Sequence, residues 1–217
     1  MKTVLIALAL GFVLSPNTLL RRNAAWLAGN APSKAELSAK LLPTGVVELP
    51  PGLKAEGNNL GAKWSIDTQA QSCGLHVPSA EGAWEFVWKN GLVVKTREGW
   101  PAVEAMLLGS CGVWVAHASE ARGALEKFLS SLKINMRASR LELMEREVVY
   151  ALGEAGARTP QYWIGKDDFS VRGLRWLDAE GVLWELRYKK GDSFPYALEV
   201  WREGQMALRV LTAAAKR

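Results

Sequence analysis

From residue 83 onward the chain alternates. Trp84, Phe86 and Trp88 fall on one parity and Glu85, Val87 and Lys89 on the other; Asn90-Gly91 follows, and Leu92 and Val94 continue the pattern. A period of two marks a half-buried strand, and Asn-Gly supplies the positive φ values that a two-residue hairpin turn needs. This predicts a β-hairpin over 83–97. Six more alternating runs fill the last third: Glu147–Leu152, Gln161–Gly165, Val171–Leu177, Leu183–Lys189, Ala197–Arg202 and Met206–Thr212. Short polar stretches such as Lys166-Asp167-Asp168 and Glu203-Gly204-Gln205 separate them. Alternating strands joined by short turns predict an antiparallel meander with one buried and one wet face.

The middle of the chain changes period. Trp100-Pro101-Ala102 opens a predicted helix to about Leu108, with proline in its first turn. Ser119 is placed as the N-cap of a second, whose stripe is Ala121, Ala124, Leu125, Phe128, Leu129 and Leu132. Residues 24–82 show little periodicity. Ser33-Lys34-Ala35-Glu36 reads as a capping box starting a short helix that Pro43 ends. Residues 43–60, rich in proline and glycine, read as loop with one strand at Val46–Leu49. The expected fold class is α+β: a curved antiparallel half-barrel meander of about eight or more strands, wrapped around a few helices.

The first segment has a different composition. Met1-Lys2 is positive, Thr3–Leu14 carries no charge, and Ser15-Pro16-Asn17 breaks the run. That pattern is a signal peptide or an N-terminal anchor over 1–22, too short to span a membrane comfortably, ahead of one domain at 23–217. The 217 residues, 49% hydrophobic, suffice for one core. Lys2, Arg21 and Arg22 supply three of the five net positive charges. Elsewhere the basic residues alternate along strands without forming a stripe, which argues against nucleic acid as partner.

Ten tryptophans stand out. They fill a core or line an apolar ligand cavity, and the sequence leaves both readings open. Cys73 and Cys111 are the only cysteines, and in an exported protein a disulfide is their default state. With His76 and His117 they could instead make a two-cysteine, two-histidine zinc site. No nucleophile motif, P-loop or dinucleotide fingerprint occurs, so the chain is read as a non-enzyme that needs neither cofactor nor metal.

The segment Val148–Val210 resembles the lipoprotein-carrier superfamily of LolA/LolB-like proteins. The residues that carry the resemblance are Val149-Tyr150-Ala151-Leu152-Gly153, Pro160-Gln161-Tyr162-Trp163-Ile164-Gly165-Lys166-Asp167, Phe169 and Leu174, followed by Trp184–Tyr188, Phe194-Pro195 and Tyr196–Trp201. It departs from that pattern at Val171, where such relatives commonly have proline after the turn. The resemblance implies a periplasmic carrier with an apolar cavity between sheet and helices, its partner a lipid or an acylated protein. The apolar strand face nominates Trp84, Phe86, Trp88, Tyr150, Tyr162, Trp176, Trp184, Leu186 and Tyr188 as cavity lining, with closed core as the alternative for each. A second expectation is an envelope sensor or assembly module that binds another protein through its sheet.

Overall fold

The computed structural model describes residues 13–30, 33–55, 57–89, 91–97, 99–115, 121–189 and 197–213. Three helices and twelve strands follow in the order α1 (Pro16–Asn30), β1 (Lys34–Pro43), β2 (Leu60–Asp67), β3 (Ser72–Val77), β4 (Trp84–Lys89), β5 (Leu92–Lys95), α2 (Pro101–Val115), α3 (Ala121–Ser131), β6 (Ser139–Met144), β7 (Glu147–Leu152), β8 (Gln161–Gly165), β9 (Val171–Leu177), β10 (Leu183–Lys189), β11 (Ala197–Arg202) and β12 (Gln205–Thr212). The strands form one antiparallel sheet in the order β5-β4-β3-β2-β1-β12-β11-β10-β9-β8-β7-β6. The fold is the expected α+β half-barrel. It is unclosed, with β5 and β6 as its edges among the described residues. The chain's two strand runs meet where β1 pairs with β12, Leu41 opposite Val210.

Alternation explains most of the strands; the expected wet face is missing at β8, buried along its whole length, where Trp163 packs with Val149 and Ala151 in a second apolar cluster. Along β2, Leu60, Ala62, Trp64 and Ile66 are buried while Gly61, Lys63 and Ser65 are exposed. The predicted hairpin forms as β4 and β5, with Val87 opposite Val94; Asn90 lies outside the described residues. The six C-terminal runs become β7–β12 at nearly the predicted bounds.

Two local expectations fail. Residues 34–43 form β1 and not a helix: Leu37, Ala39 and Leu41 are buried and Glu36, Ser38 and Lys40 exposed. That period of two outweighs the capping-box pattern. Ser33, the expected cap, instead offers its carbonyl to the Thr68 amide and hydroxyl. Val46–Leu49 is not a strand either; Pro43 and Gly45 before it and Pro50 after it bound a short stretch that stays loop.

The helices differ in role. Ser15-Pro16 starts α1: the Ser15 carbonyl accepts from the Leu19 amide, and proline needs no donor in the first turn. The predicted helix at Pro101 runs on to Val115 as α2, apolar apart from Glu104 and Ser110, and the sheet curls around it. Glycine permits that fit. A Cβ at Gly109 would collide with Leu186 of β10, and one at Gly112 with the Phe128 ring of α3. In α3, Leu125, Phe128 and Leu129 of the predicted stripe are buried, and Leu132 just beyond it. Ser119 lies outside the described residues.

The outer face carries charge. Glu199, 3% exposed in its side chain, accepts from Arg209 at 2.7 Å and pairs with Lys189 at 3.1 Å. The β6–β7 turn reaches the same group: Glu145 accepts from Lys189 at 2.7 Å and Arg187 at 3.1 Å. Those two hydrogen bonds hold the Glu145 carboxyl below the usual range, Lys189 being the stronger cause, although partial burial opposes them. Burial pushes Asp168 upward, but hydrogen bonds from the Ser170 amide and hydroxyl and the charge of Arg172 outweigh it and bring it down. A folded pKa below the unfolded value gives stability above about pH 4 that is lost as pH falls through the folded pKa. Both carboxylates are more than a third exposed, so each is worth at most about 1 kcal/mol. Thermal melts should therefore be flat down to about pH 5 and decline below about pH 4. Glu145→Gln should remove part of the decline; an unchanged slope would refute the assignment.

Candidate functional site

The nine nominated residues lie in one buried cluster that the sheet shares with α1 and α2. Seven of them face other core groups. Trp84 stacks near Phe86 with ring centroids 6.5 Å apart, and Trp88 sits opposite Cys73 in the β3–β4 ladder. Tyr150 stacks on Phe169, and Leu186 packs beside Gly109. The Tyr162 hydroxyl donates to Asn23 of α1 at 2.8 Å, and the Tyr188 hydroxyl is 3.2 Å from that of Ser110. Burial pushes both phenols upward in pKa, so both stay neutral.

Trp176 and Trp184 differ, because they line a cleft of about 490 Å³. One wall is the edge hairpin, at Leu92, Val93 and Lys95; another is the first turns of α2, at Glu104, Ala105 and Leu108; the third is the β9–β10 turn at Asp178–Glu180. The size lies within the ~300–1,000 Å³ of small-molecule sites. The floor is apolar and the rim polar. Lys95 and Glu104 pair across it at 3.0 Å. Asp178 fixes the turn, accepting from the Val182 amide at 2.9 Å and from the Trp184 indole at 2.8 Å. Such a site can take an apolar chain and leave its polar end at the rim. Leu108 and Val93 were missed in the sequence: the alternation carries the inward parity on to Leu92 and Val94, but both are exposed and Val93, between them, is the residue that packs against the core.

Cys73 and Cys111 form a disulfide between β3 and α2, with Cα atoms 5.8 Å apart. This settles the choice against zinc, since both thiols are consumed. His76 lies across the ladder from Glu85, 3.3 Å from its carboxylate on the wet face; His117 lies outside the described residues. Among the described residues no helix is long and apolar enough to cross a membrane.

No protein-family model matches the chain, and no curated protein does. Among solved structures it is similar to a LolA superfamily protein of Nitrosomonas europaea, with 9% identity, a TM-score of 0.47 and 92% of each chain covered. It is similar to a DUF1329 family protein of Desulfovibrio piger at 10% identity and a TM-score of 0.43, covering 93% of this chain and 92% of that one. A candidate outer membrane lipoprotein-sorting protein domain from Vibrio parahaemolyticus matches at 9% identity and a TM-score of 0.39, covering 91% of each. All three likenesses run over more than nine-tenths of the chain and are not confined to Val148–Val210.

Proposed function

We propose that this protein is an exported, non-enzymatic binding protein for the apolar chain of a lipid or an acylated protein. The cleft over Trp176, Trp184 and Leu108 carries the reading: it is apolar at its floor, polar at its rim and of ligand size. The core around α2 is filled by tryptophans and tyrosines, so the acyl chain enters at this mouth of the half-barrel and does not run its length. The Cys73–Cys111 bridge supports an oxidising compartment, which for this chain is the periplasm.

The test is titration with a fluorescent fatty acid, followed by tryptophan quenching. Leu108 is half-buried, so Leu108→Arg places a charge in the cleft without opening the core. Binding should weaken at least about tenfold, or 1.4 kcal/mol, at an unchanged Tm. Absence of saturable binding to the parent protein would sink the proposal, as would an unaffected variant.

A second reading, an envelope module that binds another protein, draws on the free edge β6. There Leu143, 70% exposed, stands directly opposite Val148, 42% exposed. Such pairs at an unpaired edge favour strand addition. Under that reading Leu143→Lys, and not Leu108→Arg, impairs function.

A further inference from the structure

The rim of the cleft has a sign. Its charged lining among the described residues is Lys95, Glu104, Asp178 and Glu180, three carboxylates against one ammonium. The whole chain carries a formal charge of +5, so the rim runs against the overall sign of the molecule. The neighbouring cations are engaged elsewhere. Arg97 donates to the Glu81 carbonyl and lies over the Trp84 ring. Arg158 reaches the Gly181 carbonyl at 2.9 Å but is paired with Glu203. Arg202 lies over Trp184, 5.9 Å from the ring centroid, and does not line the cleft.

Two features of the rim would attract an anion, and one residue already answers both. The first is Lys95, which Glu104 holds at 3.0 Å. That pair lies directly over Gly99, where a Cβ would strike both groups. The second is the N-terminal turn of α2, whose amides favour negative charge. Glu104 sits in that turn and supplies it. An anionic head group has to displace Glu104 to reach either. The opposite rim holds the surplus. Asp178 accepts from the Glu180 and Val182 amides and the Trp184 indole, all neutral donors, so its charge meets no countercharge. Glu180 is exposed in the β9–β10 turn, and among the described residues no cation pairs with it.

We propose that the cleft selects ligands whose apolar chain ends in a cationic amine, seated at the rim beside Glu180. This rests on the cleft being the binding site; the carboxylates decide only which head group it takes. A carboxylate head on the same chain meets like charge at Asp178 and Glu180 and finds the one lysine occupied. The rim is open to water, so the bias between opposite heads is about tenfold at low ionic strength and is screened by salt.

The experiment titrates the parent protein, below micelle formation, with three probes of equal chain length: dodecyltrimethylammonium, monolaurin and laurate. Tryptophan fluorescence reads the binding. Affinity should fall in that order, about tenfold from first to last, and the three should converge as salt is raised. Glu180→Lys should reverse the order. Glu104→Gln, which frees Lys95 and the first turn of α2, should strengthen laurate. Glu36→Lys makes the same change of charge at an exposed β1 position outside the cleft and should leave the order intact. Dodecylphosphocholine carries the same cation behind a phosphate. Tighter binding than the trimethylammonium probe would make the natural head that of a phospholipid, and weaker binding a bare amine. Laurate at least as tight as dodecyltrimethylammonium at low salt would overturn the head-group inference and leave the cleft standing, as would an order unmoved by Glu180→Lys. No saturable binding of any probe would overturn the cleft itself.

Discussion

Replacing both cysteines, Cys73→Ala with Cys111→Ala, is expected to lower stability by about 4 kcal/mol in urea titrations. The bridge spans 38 positions, and a closed loop of that size removes about this much chain entropy from the unfolded state. It also joins two elements that no hydrogen-bond ladder links: β3 in the sheet and α2 inside it. Both residues are buried, so in the folded protein the bond should resist mild reductant. A further cost attaches to Cys73 alone, whose sulfur accepts from the Trp64 indole at 3.2 Å. Alanine there leaves a buried donor unanswered. Cys111→Ala retains that acceptor and should therefore be milder than Cys73→Ala. Chelator should leave the parent Tm unchanged. A double variant within about 1 kcal/mol of the parent would mean that the bridge does not constrain the fold.

Much of this architecture is written in the period of the chain, and the failures are local. The last six strands and the 84–95 hairpin announce themselves because each pairs a clean alternation with a polar turn. β2 and β3 also alternate, at Trp64 and Ile66 and at Cys73, Leu75 and Val77, yet both went unread because the stretch 24–82 that holds them shows little periodicity as a whole. Gly74 is a strand position opposite Ser65 and Val87. β1 was hidden by a helix-start signal at Ser33–Glu36, an instance of sheet pairing overriding local propensity. Likewise α2 shows no amphipathic stripe, because apart from Pro101, Glu104 and Leu108 its side chains are buried and leave almost no wet face to reveal its period.

The candidate site was legible only in part, for a related reason. Alternation identifies which side chains turn inward; it does not tell which of them meet another side chain and which meet space. Trp84 and Trp176 look alike in the sequence, both inward on their strands. Trp84 is closed in beside Phe86, whereas Trp176 lines the cleft where α2, β5 and the β9–β10 turn diverge. That divergence depends on three elements distant in sequence, so no local pattern could carry it.

Trp176→Ala tests that distinction most directly. The side chain is 2% exposed and lies between the cleft and Gly109, where a Cβ would stand 3.4 Å from its ring. Removing it should cost about 3–5 kcal/mol, the usual range for a buried tryptophan whose neighbours relax incompletely. Gly109 cannot refill the space, and the vacated volume is continuous with the cleft. The variant should therefore bind a fluorescent fatty acid more tightly than the parent while being less stable without it, and saturating ligand should restore part of the lost Tm by mass action. Trp84→Ala, made in the closed core beside Phe86, should show a comparable loss of stability with no gain in affinity. Equal ligand responses in the two variants would show that the cleft has no privileged connection to the interior. A gain confined to Trp176→Ala would locate the acyl path at the end of α2.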